Sequence, residues 1–223
     1  MNIEEQQRTI ENTLKENGIS LVGFGDVADI KRPLTEKYPI AISIAIAYEK
    51  ELIKSLDKNP QAFFKKRTEV IAALKKAIET ATALLAGWGF DYYVSAYTGK
   101  ISDLAKLHKD FSHKSAATRA GLGWIGRSSL LVTPEYGPRL RLASILTNAP
   151  FKVGRPIIED GCSKCRLCAD TCPYKTINNI NWQAGLARDS LFDAQTCFDK
   201  GAGFYKQGDK AYRCGECLRV CPK

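Results

Sequence analysis

Eight thiols dominate the chemistry available to this chain. Cys162, Cys165, Cys168, Cys172, Cys197, Cys214, Cys217 and Cys221 all follow residue 161 in a sequence of 223, and nothing before them is a cysteine. A disulfide framework would staple a short secreted chain more evenly, so the crowding points to metal. The first run is Cys162-x2-Cys165-x2-Cys168-x3-Cys172-Pro173, a spacing in which three thiolates embrace one iron–sulfur cubane and the fourth reaches across to another. The second run, Cys214-x2-Cys217-x3-Cys221-Pro222, lacks a leading cysteine, and Cys197, seventeen residues before Cys214, can replace it. Exchanging the fourth ligands puts Cys162, Cys165, Cys168 and Cys221 on cluster one. Cluster two then takes Cys172, Cys197, Cys214 and Cys217. Two all-thiolate zinc sites would use the same eight residues. Zinc knuckles, however, need neither a third close cysteine nor the following proline, and the spacing favours two [4Fe–4S] clusters.

Other groups carry weaker signals. Gly121-x-Gly123-x-x-Gly126 mimics a dinucleotide fingerprint, but such a site needs a strand before the glycines and a helix after them. Here a helix-like segment precedes and a strand-like one follows, so nicotinamide binding is rejected and tight turns under a neighbouring segment are expected. His108 and His113 sit among Lys106, Lys109 and Lys114, a pattern expected of a solvated surface. Tyr93 and Tyr97 share one face of a short predicted strand and Tyr92 the other, with one face expected in the core. Trp88 and Trp124 are expected as core or interface aromatics.

The elements that must position the thiols follow from periodicity. Helices are expected over Ile3–Asn17, from Asn59-Pro60 to Gly87 with Phe63, Phe64, Val70, Leu74, Ile78, Ala81 and Leu85 on one face, and over Ser115–Ala120. Strands are expected at Ser20–Val27, at the isoleucine-rich run Pro39–Tyr48, at Asp91–Tyr97, and as a pair, Ser129–Thr133 and Leu140–Thr147, joined by the turn 134–138. Beyond Pro150 the chain is loop-rich, with short helices around the cysteines. CRLCADTCP and CGECLRVCP echo each other as a degenerate duplication.

Composition bounds the rest. Forty-four per cent of residues are apolar and 26% charged, enough to bury a core. No apolar stretch approaches the length of a membrane span, and Met1–Ile10 carries no apolar leader, so a cytoplasmic protein is expected. The formal net charge is +9. Eight thiolates around two cubanes would lower it to about +5, which weakens a nucleic-acid reading made on basicity alone.

Residues 113–148, HKSAATRAGLGWIGRSSLLVTPEYGPRLRLASILTN, followed by the cysteine runs, resemble the epoxyqueuosine reductase family. That family is a cobalamin-dependent, double-[4Fe–4S] relative of the reductive dehalogenases. The resemblance implies a corrinoid on the N-terminal α/β domain, fed with electrons by the clusters, and the family's ligand partition agrees with the one above. Two departures are visible. The family's proton-donating aspartate stretch has no counterpart in AYTGKISDLAKLHKD, where Asp103 is the nearest acid. The family's helical repeats, which help hold tRNA, would lie beyond Cys221-Pro222-Lys223.

The expected fold class is therefore α+β: an N-terminal α/β sheet domain, 1–150, packed on a C-terminal ferredoxin-like double [4Fe–4S] module, 151–223. The expected function is an iron–sulfur redox protein passing low-potential electrons to a corrinoid or bound acceptor. The donor would be external, such as a ferredoxin or flavodoxin, and the acceptor could be a corrinoid protein. Alternatives are an electron carrier without corrinoid, and a tRNA epoxyqueuosine reductase whose recognition part is missing. tRNA and membrane partners are not expected, and a bound corrinoid would be base-off without a protein histidine.

Overall fold

The computed structural model describes residues 1–30, 32–95 and 111–223. In chain order these form α1 (Ile3–Glu16), β1 (Leu21–Asp26), α2 (Pro33–Lys37), β2 (Ile40–Ala47), α3 (Lys50–Lys54), α4 (Pro60–Gly87) and β3 (Tyr92–Val94). There follow α5 (His113–Arg119), β4 (Trp124–Ile125), β5 (Leu131–Val132), β6 (Leu140–Thr147), α6 (Leu167–Asp170) and α7 (Arg188–Leu191). The last elements are α8 (Ala194–Lys200), β7 (Tyr205–Gln207), β8 (Lys210–Tyr212) and α9 (Glu216–Arg219). Among the described residues no helix is long and apolar enough to cross a membrane.

Two compact units result. One comprises Met1–Ile46, Val70–Leu122 and Arg141–Ile157, the other Ala47–Glu69, Gly123–Leu140 and Ile158–Lys223. A single cut near residue 150 does not describe this division, because residues 47–69 and 123–140 group with the cysteine-rich stretch. The reason is local. Phe64 meets the ring of Tyr212 at 5.1 Å, Asp57 pairs with Arg219 at 3.4 Å, and Leu56 packs against Gly215.

The first unit is built on a four-stranded sheet of order β1-β2-β6-β3. β1 and β2 run antiparallel with Leu21 opposite Ala45, and β3 and β6 antiparallel with Tyr92 opposite Thr147. β2 is buried from Ala41 to Ile46, as its continuous apolar run requires of a strand covered on both faces. α1 starts on a capping box between Asn2 and Glu5 and buries Ile10 and Leu14. α4 starts where Asn59 accepts the N–H of Ala62, with Pro60 in the first turn where a missing N–H costs nothing. Val70, Leu74, Ile78, Ala81 and Leu85 are all buried along it. α5, capped by Ser112, packs against β1.

Two expectations for this unit change. Tyr92 and Tyr93 are similarly exposed, 38% and 37%, because β3 is an edge strand; Tyr93 stacks on Tyr38. His113 is half-buried, its Nδ1 3.0 Å from Ser144 Oγ. Tyr97, Asp103, Lys106, His108 and Lys109 lie outside the described residues.

In the second unit the expected 129–147 hairpin does not form. β5 pairs with β4, Trp124 opposite Val132, and the turn closes on itself through Thr133 and Gly137, leaving β6 to enter the sheet. The glycine-rich loop lies between α5 and β5, helix first, as its sequence indicated. A side chain at Gly123 would stand 2.2 Å from the carbonyl oxygen of Val132, so β5 passes directly over it.

Candidate metal centre

The first cysteine run opens as a tight turn. Asp160 accepts the Cys162 N–H at 2.6 Å, and the Cys165 N–H returns to the Cys162 carbonyl at 3.0 Å. Cys168 follows on α6. A pocket with about 460 Å³ of open volume, mouth included, is lined by Cys162, Cys165, Cys168, Cys217 and Cys221. All four thiols assigned by spacing to cluster one therefore meet there, although Cys221 is far along the chain. Burial pushes the Cys168 thiol up to about 11, and the charges of Cys162, Cys221 and Cys165 add to the rise. The Cys221 thiol is raised by burial first and then by Cys162 and Cys165.

The other four form a second group. Cys197 sits on α8, whose N-cap Asp193 accepts the Thr196 N–H at 3.0 Å. That bonding from Thr196 holds the Asp193 carboxyl below its usual range. Cys197 and Cys214 are linked through Gly201, whose N–H reaches the Cys197 carbonyl and whose carbonyl accepts the Cys214 N–H. Burial raises the Cys197 thiol, helped by the charges of Cys214 and Cys172. The Cys217 thiol is raised by burial and by Cys197, Cys214, Cys168 and Cys172. Cys217 packs in one cluster with Cys172 and Cys168 and also lines the first pocket.

Cys172 differs. Burial would push its thiol up, but hydrogen bonds from the side chain and backbone of Thr176 and from the N–H groups of Tyr174 and Lys175 outweigh it and bring the thiol below its ordinary value. All eight cysteines are free thiols.

The sequence echo has a structural counterpart. Cys165, Cys168 and Cys172 recur 49 positions later as Cys214, Cys217 and Cys221, and α6 and α9 occupy the same offset in the two runs. The two helices pack together. Position 211, which would match Cys162, is an alanine, and Cys197 arrives from another segment in its place.

Periodicity and spacing missed three residues that touch these thiols or their turns. Trp124 donates its indole N–H to Cys162 Sγ at 3.5 Å. Arg127, buried in the same pocket wall, donates to the carbonyls of Asn179 and Ser163. The Thr176 hydroxyl lies 3.3 Å from Cys172 Sγ. Only Trp124 and Arg127 left a trace in the sequence, by their place in the AGLGWIGR segment.

The donor set suits a cubane. Cys162, Cys165, Cys168 and Cys221 line one cavity, and an all-thiolate set of four is what a cubane takes. Thiols spread around a cavity leave room for a core of several irons and sulfides.

The described architecture matches that of a reductive dehalogenase whose structure suggests a mechanism for B12-dependent dehalogenation, with a TM-score of 0.70 at 22% identity over 96% of this chain and 31% of that one. It also matches an epoxyqueuosine reductase crystallised with a tRNA-Tyr stem loop, with a TM-score of 0.66 at 20% identity over 99% of this chain and 66% of that one. In sequence, epoxyqueuosine reductase of Bacillus anthracis is 30% identical over 161 residues, 62% of this chain and 40% of the relative. No family model matches the chain. The chain is a homologue of the epoxyqueuosine reductases, as residues 113–148 and the cysteine runs indicated, and the match spans two fifths of that relative's length.

Proposed function

We propose that this chain is an iron–sulfur redox protein with one [4Fe–4S] cluster held by Cys162, Cys165, Cys168 and Cys221 and another by Cys172, Cys197, Cys214 and Cys217. The observation that carries the reading is the convergence of Cys221 with the first three cysteines in one pocket, the exchange that the spacing alone predicts. When bound, such clusters supply one-electron transfer at low potential, suited to reducing a corrinoid or another bound acceptor. The chain's own part is to hold the thiols in two groups, to stabilise the Cys172 thiolate through Thr176, and to keep the first pocket open at one side. The electron donor is external, a ferredoxin or flavodoxin, and the corrinoid is placed on the sheet-bearing N-terminal part.

The test is an anaerobic titration of the iron-reconstituted protein with cob(II)alamin, followed by electron paramagnetic resonance. A stoichiometric change to a base-off cobalt signal supports a corrinoid-linked reductase. An unchanged free-cofactor spectrum beside two reducible clusters makes the protein an electron carrier. A second reading is favoured by the relative crystallised on a tRNA stem loop: the chain handles tRNA, against the expectation from composition. Binding of a tRNA anticodon stem loop that weakens steeply with salt would establish it, and binding at the level of an unrelated hairpin would remove it.

A further inference from the structure

We infer that Trp124 and Arg127 raise the reduction potential of the cluster held at Cys162, an inference that rests on the proposal that cubanes occupy these thiols. The glycine-rich segment delivers two polar groups to one cysteine turn.

Trp124 is buried, 9% exposed. Its ring is pinned in place: a Cβ at Gly161 would come within 2.7 Å of the indole, so only glycine lets the turn and the ring approach. The indole N–H then has the Cys162 sulfur as its acceptor at 3.5 Å. An N–H aimed at a cluster thiolate favours the more negatively charged, reduced state, and hydrogen bonds to the sulfurs are among the levers that set cluster potentials.

Arg127 works on the same turn from its other neighbour. The guanidinium donates to the carbonyls of Ser163 and Asn179 and to the Asn179 side chain. Both residues have left-handed backbone, φ 51° and 58°, which non-glycine residues rarely adopt. Arg127 therefore fixes the direction in which the chain leaves Cys162. These acceptors are neutral, and among the described residues the buried Nε has no hydrogen-bond partner and no carboxylate pairs with the guanidinium. A buried cation so placed beside the pocket projects its charge onto whatever the thiols hold.

Three variants and the wild type decide the matter, each reconstituted and assayed for iron before a dye-mediated potential titration followed by electron paramagnetic resonance. Trp124→Phe keeps an aromatic ring, smaller than the indole, and loses the N–H, Arg127→Gln loses the charge, and Arg127→Lys keeps it. One of the two couples is expected to move to lower potential in Trp124→Phe and in Arg127→Gln while the other holds still, with Arg127→Lys close to wild type. Wild-type protein that fails to take up about eight irons sinks the cluster proposal itself. Full iron with both couples unmoved in Trp124→Phe and Arg127→Gln overturns the present inference alone, and Arg127→Lys as low as Arg127→Gln removes the charge from it. Wild-type protein labelled with 15N-indole tryptophan gives a readout independent of variant folding. A nitrogen coupling to the reduced cluster in pulsed spectra is expected, and its absence overturns the role of Trp124.

Discussion

Thr176 gives Cys172 two contacts, through its hydroxyl at 3.3 Å and its N–H at 3.4 Å, and this sets that thiol apart from its raised neighbours. Outer groups that orient a ligand are commonly worth about 10-fold or more in metal affinity, so Thr176→Val should lose iron to a chelator roughly 10-fold faster than wild type. Cys221→Ser tests the partition directly. It should remove about half the iron, with the surviving cluster the one on Cys172. Full iron retention in that variant would break the assignment. The raised thiols also set a pH dependence. Cys168, displaced from 9.0 to about 11, is protonated at neutral pH and must release its proton on binding metal, so iron uptake should strengthen from pH 7 to 8. Without metal the sign reverses for stability. A thiol harder to ionise in the folded chain than in the unfolded one favours folding below the ordinary value and loses that advantage as pH rises. The melting temperature of the iron-free protein should therefore fall between pH 9 and 11.

Elements show where sequence reasoning succeeds and where it stops. β2, α1 and α4 were legible because each carries its own signal: an apolar run too long for one wet face, a cap followed by spaced apolar positions, a proline start and a glycine stop. Removing the α1 cap by Asn2→Ala should cost about 1 kcal/mol, seen as a lower urea midpoint with unchanged iron content. Leu74, wholly buried on α4, should cost about 2–5 kcal/mol as alanine. The 129–147 hairpin failed because β5 pairs backwards with β4 through the short turn at 126–130, while β6 takes its partners from the four-stranded sheet. β5 found β4 across a glycine loop, and no local pattern in SSLLVT distinguishes that partner from β6. The meeting of Cys221 with Cys162, Cys165 and Cys168 in one pocket was legible because the spacing of the two runs pairs a late cysteine with an early trio. Trp124 and Arg127 were not, since their contacts to Cys162, Ser163 and Asn179 span 36 to 52 residues and nothing in a side chain's identity announces such a reach.

At the scale of the molecule, a formal charge of +9 belongs to the metal-free chain, and two bound cubanes would lower it to about +5, so the loaded protein should focus at a lower pH than the metal-free chain in native isoelectric focusing. The convergence of Cys221 on the pocket of Cys162 has a further meaning for how the protein is made. A ribosome delivers Cys162, Cys165 and Cys168 early, yet their site cannot close until a residue more than fifty positions later has emerged. The second group waits almost as long, for Cys217. On the proposed assignment neither group can be completed from one run alone, so each site requires the two runs to come together in the folded chain.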